Sequence, residues 1–390
     1  MIFLLAVALA STPVASRLVP ERVVMLMRHG VRAPIDGEAP ADTRSAAPWP
    51  HWPVAAEQMT PHGLAALRIR GRDDRAWLAA AGLLSRRGCP ADGEVRVHSN
   101  VSQRTIDSAA AFLAGFAPGC PIAVEHQREG TVDPLFEALR AGATDFDAAT
   151  AVRAIERHTG GIARLAARHR GELTLLDHVL ACPGTHDCTP PAPETVGATP
   201  DGRGIELSGA IRKASGTAQV LLLEYAQGLP MREVGWGRAD AATIRRLGRL
   251  HAALFDVFTR PPYMAAHQAG PIGRAIIADL TAPHGSALSL YVGHDTNVTA
   301  LAAALGVPLR TPDYADGDVA PGGALALTLL RDPVTGASYV RIRYRTQPLA
   351  ALRHLTPGVT STTIRMPGCA TLCPLPRFVA LLSRRLAPAR

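Results

Sequence analysis

Lysine is almost missing from this chain. Of 41 basic residues among 390, Lys213 is the single lysine and the rest are arginine, so the formal charge of +8 rests on guanidinium groups. Charged residues are also sparse, at 19% against 47% hydrophobic, a balance that excludes a wholly disordered protein. Aromatic residues make up only 5% and are not laced through a basic stripe, so the footprint expected of a nucleic-acid binder is absent. Arg68, Arg70, Arg72 and Arg75 read instead as the solvated face of a helix. A positive field still favours anionic substrates. The amino-terminal apolar run, residues 2–10, is too short to span a bilayer. No internal repeat or low-complexity tract is found.

What is present begins with that apolar run. Small residues at Ala8-Leu9-Ala10 and Val14-Ala15-Ser16 suit cleavage, so residues 1–16 read as an export signal. No Lys or Arg precedes the run, which keeps a membrane anchor or a misassigned start as alternatives. Six cysteines agree with an oxidising compartment, yet by count alone they allow fifteen pairings, or free thiols in a cytoplasmic enzyme. Cys89 and Cys120 each precede an expected strand and so fall at the same end of a sheet. Cys182 with Cys188, and Cys369 with Cys373, would each close a short loop.

A length of 390 exceeds the usual single compact domain and predicts two lobes. Residues 23–27 are β-branched and apolar and read as a buried strand. A helix is expected over 60–84, with Thr60-Pro61 as cap and first-turn proline. A strand at 94–98, a helix at 102–116 and a strand at 122–125 follow, an alternation that marks an α/β fold with a mostly parallel sheet flanked by helices. From about residue 133 the pattern turns helical, with helices at 153–168 and 207–227 and no clear strands. We therefore expect a helical cap lobe over 133–240, inserted into a catalytic α/β domain formed by 17–132 and 241–390. The sheet resumes with a strand at 287–292, a helix at 296–305, and a hairpin of 324–330 with 339–345.

The segment Arg28-His29-Gly30-Val31-Arg32-Ala33-Pro34 leaves the carboxyl end of the first strand, the edge where open α/β sheets bind ligands. It sets two guanidiniums around one imidazole. Arginine pairs two-to-two with phosphate oxygens and stays charged, so the pattern suits a phosphate that is held and then attacked. Gly293-His294-Asp295-Thr296-Asn297 likewise follows a strand and opens a helix, and Arg104 stands just past a third strand end. Alone, Asp295 would read as a helix cap and Arg104 as a solvent-facing residue. Three strand ends converging on one crevice favour function.

These residues resemble the histidine acid phosphatases, whose signature is RHGxRxP, and within them the bacterial periplasmic branch of acid phosphatase/phytases and glucose-1-phosphatases. Supporting stretches are the Trp49/Trp52 loop, Tyr225-Ala226-Gln227-Gly228-Leu229-Pro230, Gly235-Trp236-Gly237-Arg238 and Pro321-Gly322-Gly323. The resemblance implies a phosphoglycerate-mutase-like α/β fold, His29 as nucleophile through a phosphohistidine, and Asp295 as proton donor. It assigns Arg28, Arg32, Arg104 and His294 to the phosphate. It implies no metal or other cofactor, disulfides Cys89–Cys120, Cys182–Cys188 and Cys369–Cys373, and a periplasmic or secreted location. A small phosphate monoester is the expected partner, for a monomer with no nucleic acid and no stable membrane association once the signal is removed. An acidic optimum follows if Asp295 must be protonated, since an unperturbed Asp titrates near ~3.9.

The leaving group is less defined. Ile35 and Asp36 stand where phytase-like relatives carry a threonine and a lysine, and an aspartate there would repel a polyphosphate. Ala324 replaces an acidic residue, while Gly30 is phytase-like. Glu224, Met231 and Glu233 are further candidates for the substrate rim. The expected activity is that of a phytase-like or sugar-phosphate phosphatase of broad specificity, with a glucose-1-phosphatase as the alternative. A phosphomutase and a non-catalytic binder of phosphorylated ligands are the distant ones.

Overall fold

The computed structural model describes residues 18–184 and 188–387. The expected export signal, residues 1–16, lies outside the described residues. Strand β1 (Val19–Arg28) runs parallel to β6 (Leu288–Gly293), which in turn lies parallel to β2 (Val95–Ser99), and β2 to the short β3 (Val124–Glu125). On its other side β1 pairs antiparallel with β7 (Ala324–Arg331), which forms a hairpin with β8 (Ser338–Thr346). Two further strands, β9 (Thr360–Ile364) and β10 (Cys373–Pro374), add antiparallel to β8. The parallel half carries the strand ends that matter for chemistry.

Side-chain alternation along β1 divides the core. Val23, Met25 and Met27 face helices α1 (Pro61–Ala80) and α2 (Gln103–Phe116). Val24 and Leu26 face α8 (Pro262–Thr281), α9 (Asp295–Leu305) and α11 (Leu375–Leu386). Apolar residues on both faces explain why the strand reads as an unbroken hydrophobic run. Helices α1 and α2 approach closely because glycines face each other's backbone. A Cβ on Gly71 would lie 2.1 Å from the Phe112 carbonyl oxygen, and one on Gly115 would lie 1.8 Å from that of Arg68.

A third apolar cluster joins the helical layer: α3 (Ala148–Thr159), α4 (Ile162–Arg168), α5 (Arg170–Leu180), α6 (Ala210–Ala226) and α7 (Ala241–Phe258). Short α10 (Leu349–His354) packs on it through Leu349 and Leu352. Two expectations fail in this region. The helix read over 153–168 is two helices, because Gly160 and Gly161 take φ of 73° and 97°, outside the right-handed helical region. The stretch read as strand-free contains an antiparallel pair, β4 (Val196–Ala198) with β5 (Ile205–Leu207).

The basic face expected on α1 is also corrected. Arg68 and Arg72 are exposed, but Arg70 and Arg75 are buried. Arg75 donates to the carbonyls of Ser85 and Gly88, and Arg70 pairs with Asp74 at 2.8 Å. Asp74 in turn pairs with Arg345 of β8 at 2.5 Å. Three disulfides close the structure, Cys89–Cys120, Cys182–Cys188 and Cys369–Cys373. No helix among the described residues is long and apolar enough to cross a membrane.

Candidate active site

Parallel pairing sets Arg28 opposite Gly293, and Ser99 opposite Val292, so β1, β6 and β2 end together. His29 follows β1, His294 and Asp295 follow β6, and Asn100 follows β2. The backbone of His29 is held from both sides: its N–H donates to the Gly293 carbonyl, and its carbonyl accepts from Gly322 N–H, each at 2.9 Å. Gly322 takes φ of 69°, and its own carbonyl accepts from buried Arg70 at 2.9 Å. The Arg70–Asp74–Arg345 group thus braces the turn behind the imidazole. Gly30 is confined as well, since a Cβ there would lie 2.7 Å from the Leu67 side chain, and its N–H donates to Ser108 of α2.

The ring of His29 has a defined tautomer. Nδ1 lies 2.9 Å from the Gly30 carbonyl oxygen, which can only accept, so Nδ1 carries the proton and Nε2 keeps its lone pair. Burial, followed by the charges of Arg32 and Arg28, holds the pKa of His29 well below the usual histidine value. Both effects favour the neutral ring. His294 is 5.7 Å away, ring centre to centre, in an edge-on arrangement. Burial, then Arg104, brings its pKa down to about 3. The Asn100 side chain donates to His294 Nε2 at 2.9 Å, its oxygen being engaged by Val101 N–H. Asn297 in α9 holds the His294 backbone N–H at 2.8 Å.

Arg28, Arg32 and Arg104 surround the imidazole. Arg28 is fully buried, donates through Nη1 to the Val319 carbonyl, and lies 3.0 Å from Asp295 through Nη2. Arg32 is gripped by Glu38 in a two-to-two contact at 2.7 and 2.8 Å. Arg104 is held by Glu57 at 2.6 Å. In all three arginines the buried Nε–H makes no hydrogen bond among the described residues. Such donors are costly to leave unmet, and three guanidiniums around one imidazole give the site a positive charge that suits an anion.

Asp295 opens α9 and lies beside Arg28. Burial alone would raise its pKa, but Arg28, then His251, His294 and Arg32, outweigh that and bring it to about 2. The structure thus moves Asp295 away from the protonated state that the sequence argument requires of it.

A family model for the histidine phosphatase superfamily (branch 2) matches residues 21–159. Phytase AppA of Escherichia coli (strain K12) is 31% identical over 95% of this chain and 92% of its own length. The chain belongs to the histidine acid phosphatases, branch 2 of that superfamily. Glucose-1-phosphatase of Salmonella typhimurium (strain LT2) is 30% identical over 96% of this chain and 97% of its own. The structure of Hafnia alvei phytase in complex with tartrate superposes with a TM-score of 0.89 at 32% identity, covering 96% of this chain and 98% of that one. As a histidine acid phosphatase, the protein is a hydrolase of phosphate monoesters.

Around the phosphatase pocket the rim differs from expectation in part. Ile35 and Asp36, with Ala33, Pro34, Trp49 and Trp52, line a cavity of about 270 Å³ just past the signature. Glu224 is not on the rim. It is fully buried and accepts from Gly235 N–H at 2.9 Å, because α6 turns that face into the helical core. Met231 is exposed, and Glu233 pairs with its neighbour Arg232.

Five residues in the site stood in no motif that would have marked them. Glu38, Glu57 and Asn100 hold the arginines and His294. His251 of α7 and Asp318 form a buried pair at 2.7 Å beside Asp295. Asn100 alone had a positional hint, standing directly after β2.

Proposed function

We propose that this phosphatase cleaves its esters in two displacements, with His29 as nucleophile and Asp295 as acid and then base. One observation carries the reading: His29 presents an unprotonated Nε2, fixed by the Nδ1 bond to Gly30, among three arginines with unmet Nε–H donors. In the first step Nε2 bonds to phosphorus as the ester P–O bond breaks, and Asp295 gives the departing oxygen a proton. Arg28, Arg32, Arg104 and His294 hold the phosphoryl oxygens and stabilise their charge in the transition state. In the second step water attacks phosphorus, Asp295 takes its proton, and the P–N bond breaks.

The favoured substrates are small phosphate monoesters, both sugar phosphates and phytate, in keeping with relatives described as phytase and glucose-1-phosphatase. Asp36 places a negative charge at the cavity just past the signature, and a leaving group reaching that cavity would be favoured if it carried few further phosphates. The second reading, a dedicated glucose-1-phosphatase, draws on the same feature. Three disulfides support a periplasmic or secreted location.

The test is capture of the phosphoenzyme. ³²P-labelled ester quenched in base should leave label on His29, and His29→Ala should lose both label and turnover. Wild-type rates in His29→Ala would overturn the nucleophile. A phosphate-release panel of phytate, glucose-1-phosphate and an aryl phosphate at pH about 4 to 6, near carboxylate titration, separates the substrate readings.

A further inference from the structure

Asp295 poses a chemical problem. It is assigned the proton for the leaving group, yet it is surrounded by Arg28, Arg32, His294 and His251, which favour its ionised form. An acid that rests without its proton needs a supply close at hand.

His251 stands in the right place to be that supply. It projects from α7 and is 7% exposed, with its ring against Phe255. Its Nδ1 lies 2.7 Å from Asp318 Oδ1 and its Nε2 lies 3.8 Å from Asp295 Oδ2. Asp318 is itself fixed, since the same oxygen accepts from Val319 N–H at 2.8 Å, and the Val319 carbonyl accepts from Arg28. A carboxylate oxygen can only accept, so Nδ1 of His251 is a donor. Nε2 then faces Asp295 either as N–H toward a carboxylate or as a lone pair toward a carboxylic acid. A single proton shared by the two would spare a lone pair from facing an anion.

We propose that His251, oriented by Asp318, is a positioning residue that stores this proton and passes it to Asp295 when substrate binds. In the free enzyme the proton sits on His251 as imidazolium, between two carboxylates. A phosphate dianion neutralises Arg28 and Arg32, the carboxylate of Asp295 loses its compensation, and the proton moves across to it, the 3.8 Å contact tightening as contacts in free enzymes do on binding. Asp295 gives that proton to the departing alcohol as the P–O bond breaks. Water then replaces it: one proton goes to Asp295 as its oxygen joins phosphorus, and with phosphate gone the proton returns to His251. The balance is ester and water in, alcohol and phosphate out, with His251 restored. The inference rests on Asp295 as general acid.

The prediction concerns the pH limb of kcat. Either placement of the proton on the Asp295–His251 pair has the same protonation level, so activity persists to higher pH than a lone carboxylic acid allows. In His251→Gln only Asp295 remains, and the alkaline limb of kcat moves to lower pH by at least about one unit. At pH about 5.5 an alkyl phosphate then loses roughly tenfold or more in kcat, as a limb moved by about one unit requires, while p-nitrophenyl phosphate, whose leaving group needs no proton, changes far less. Asp318→Asn keeps the packing but weakens the imidazolium, and shifts the same limb by less. Equal losses on both esters with an unmoved limb would overturn the proposal, as would unchanged kinetics. If His251→Gln fails to fold, Asp318→Asn decides by the same limb. Asp295→Asn separates the two ideas. Equal losses on both esters in that variant would remove the general acid itself, whereas a selective loss there with an unmoved limb in the His251 variant removes only the supply.

Discussion

Each pocket arginine is held by one edge and offers another. Arg32 has both terminal nitrogens on Glu38, Arg104 has one on Glu57, and the Nε–H of each has no partner among the described residues. The carboxylates therefore act as grips that aim the guanidiniums before substrate arrives. A misplacement of about 1 Å can cost up to about a hundredfold, and loss of one of two contacts costs less. Glu38→Gln keeps one acceptor and loses the two-to-two contact, so steady-state kinetics should show kcat/KM falling roughly tenfold, carried mainly by KM, with inhibition by inorganic phosphate weakened in parallel. Unchanged KM would show that Arg32 needs no grip. At this scale the sequence exposes residues whose chemistry is rare in their setting, such as a histidine between two arginines after a strand. It hides partners that meet through folding. Glu57 is 47 positions from Arg104, and Asn100 is 194 from His294. A glutamate in a loop looks the same whether it grips an arginine or faces water.

At the scale of elements, buried polar groups account for the misread segments. Arg70 and Arg75 looked like a solvated stripe because they recur on α1, yet they carry internal contacts to the Gly322 turn and the loop after the helix. Period alone does not tell a wet face from one lined with carbonyls. Glu224 on α6 is the converse, a carboxyl taken for a rim residue and found in the helical core. Burial, against a lowering by Gly235 N–H, pushes its pKa up to about 8 from 4.5. The folded state therefore keeps a proton that the unfolded chain releases. The stability linked to it is fully present below pH 4.5 and is lost as pH rises toward about 8. Glu224→Gln escapes that loss, so thermal melts should show the variant matching the parent at pH 4.5 and exceeding it near pH 8, by on the order of 3 kcal/mol. A constant offset at all pH values would mean the glutamate is not titrating. The helix break at Gly160-Gly161 was visible as a glycine pair, but the apolar periodicity ran through it.

Across the whole molecule, the site and the Cys89–Cys120 bridge lie at opposite strand ends of the sheet. Cys89 and Cys120 stand before β2 and β3, at the amino ends of strands whose carboxyl ends lead to the site. Their bridge closes 31 residues of sequence, a span for which chain entropy gives about 3 to 4 kcal/mol. Replacing both by alanine should lower stability in urea by about that much while leaving kcat unchanged below the transition. A loss of kcat in the folded variant would show coupling between the two ends. The sheet, the three strand ends at the site and the flanking helices were legible because buried parallel strands are apolar runs followed by turns, whereas the strand order was not. The helical layer was less legible, since its short strands and paired helices depend on packing partners far along the chain.

The pinned backbone of His29 has a consequence for handedness. Gly293 and Gly322 hold the peptide and the Gly30 carbonyl holds Nδ1, so the same Nε2 accepts and surrenders the phosphoryl group. Attack and release then use the same nitrogen on the same side. Each displacement inverts the arrangement of oxygens about phosphorus, and two inversions return it, so a chiral phosphate passed to an acceptor alcohol would emerge with the configuration it had on entering.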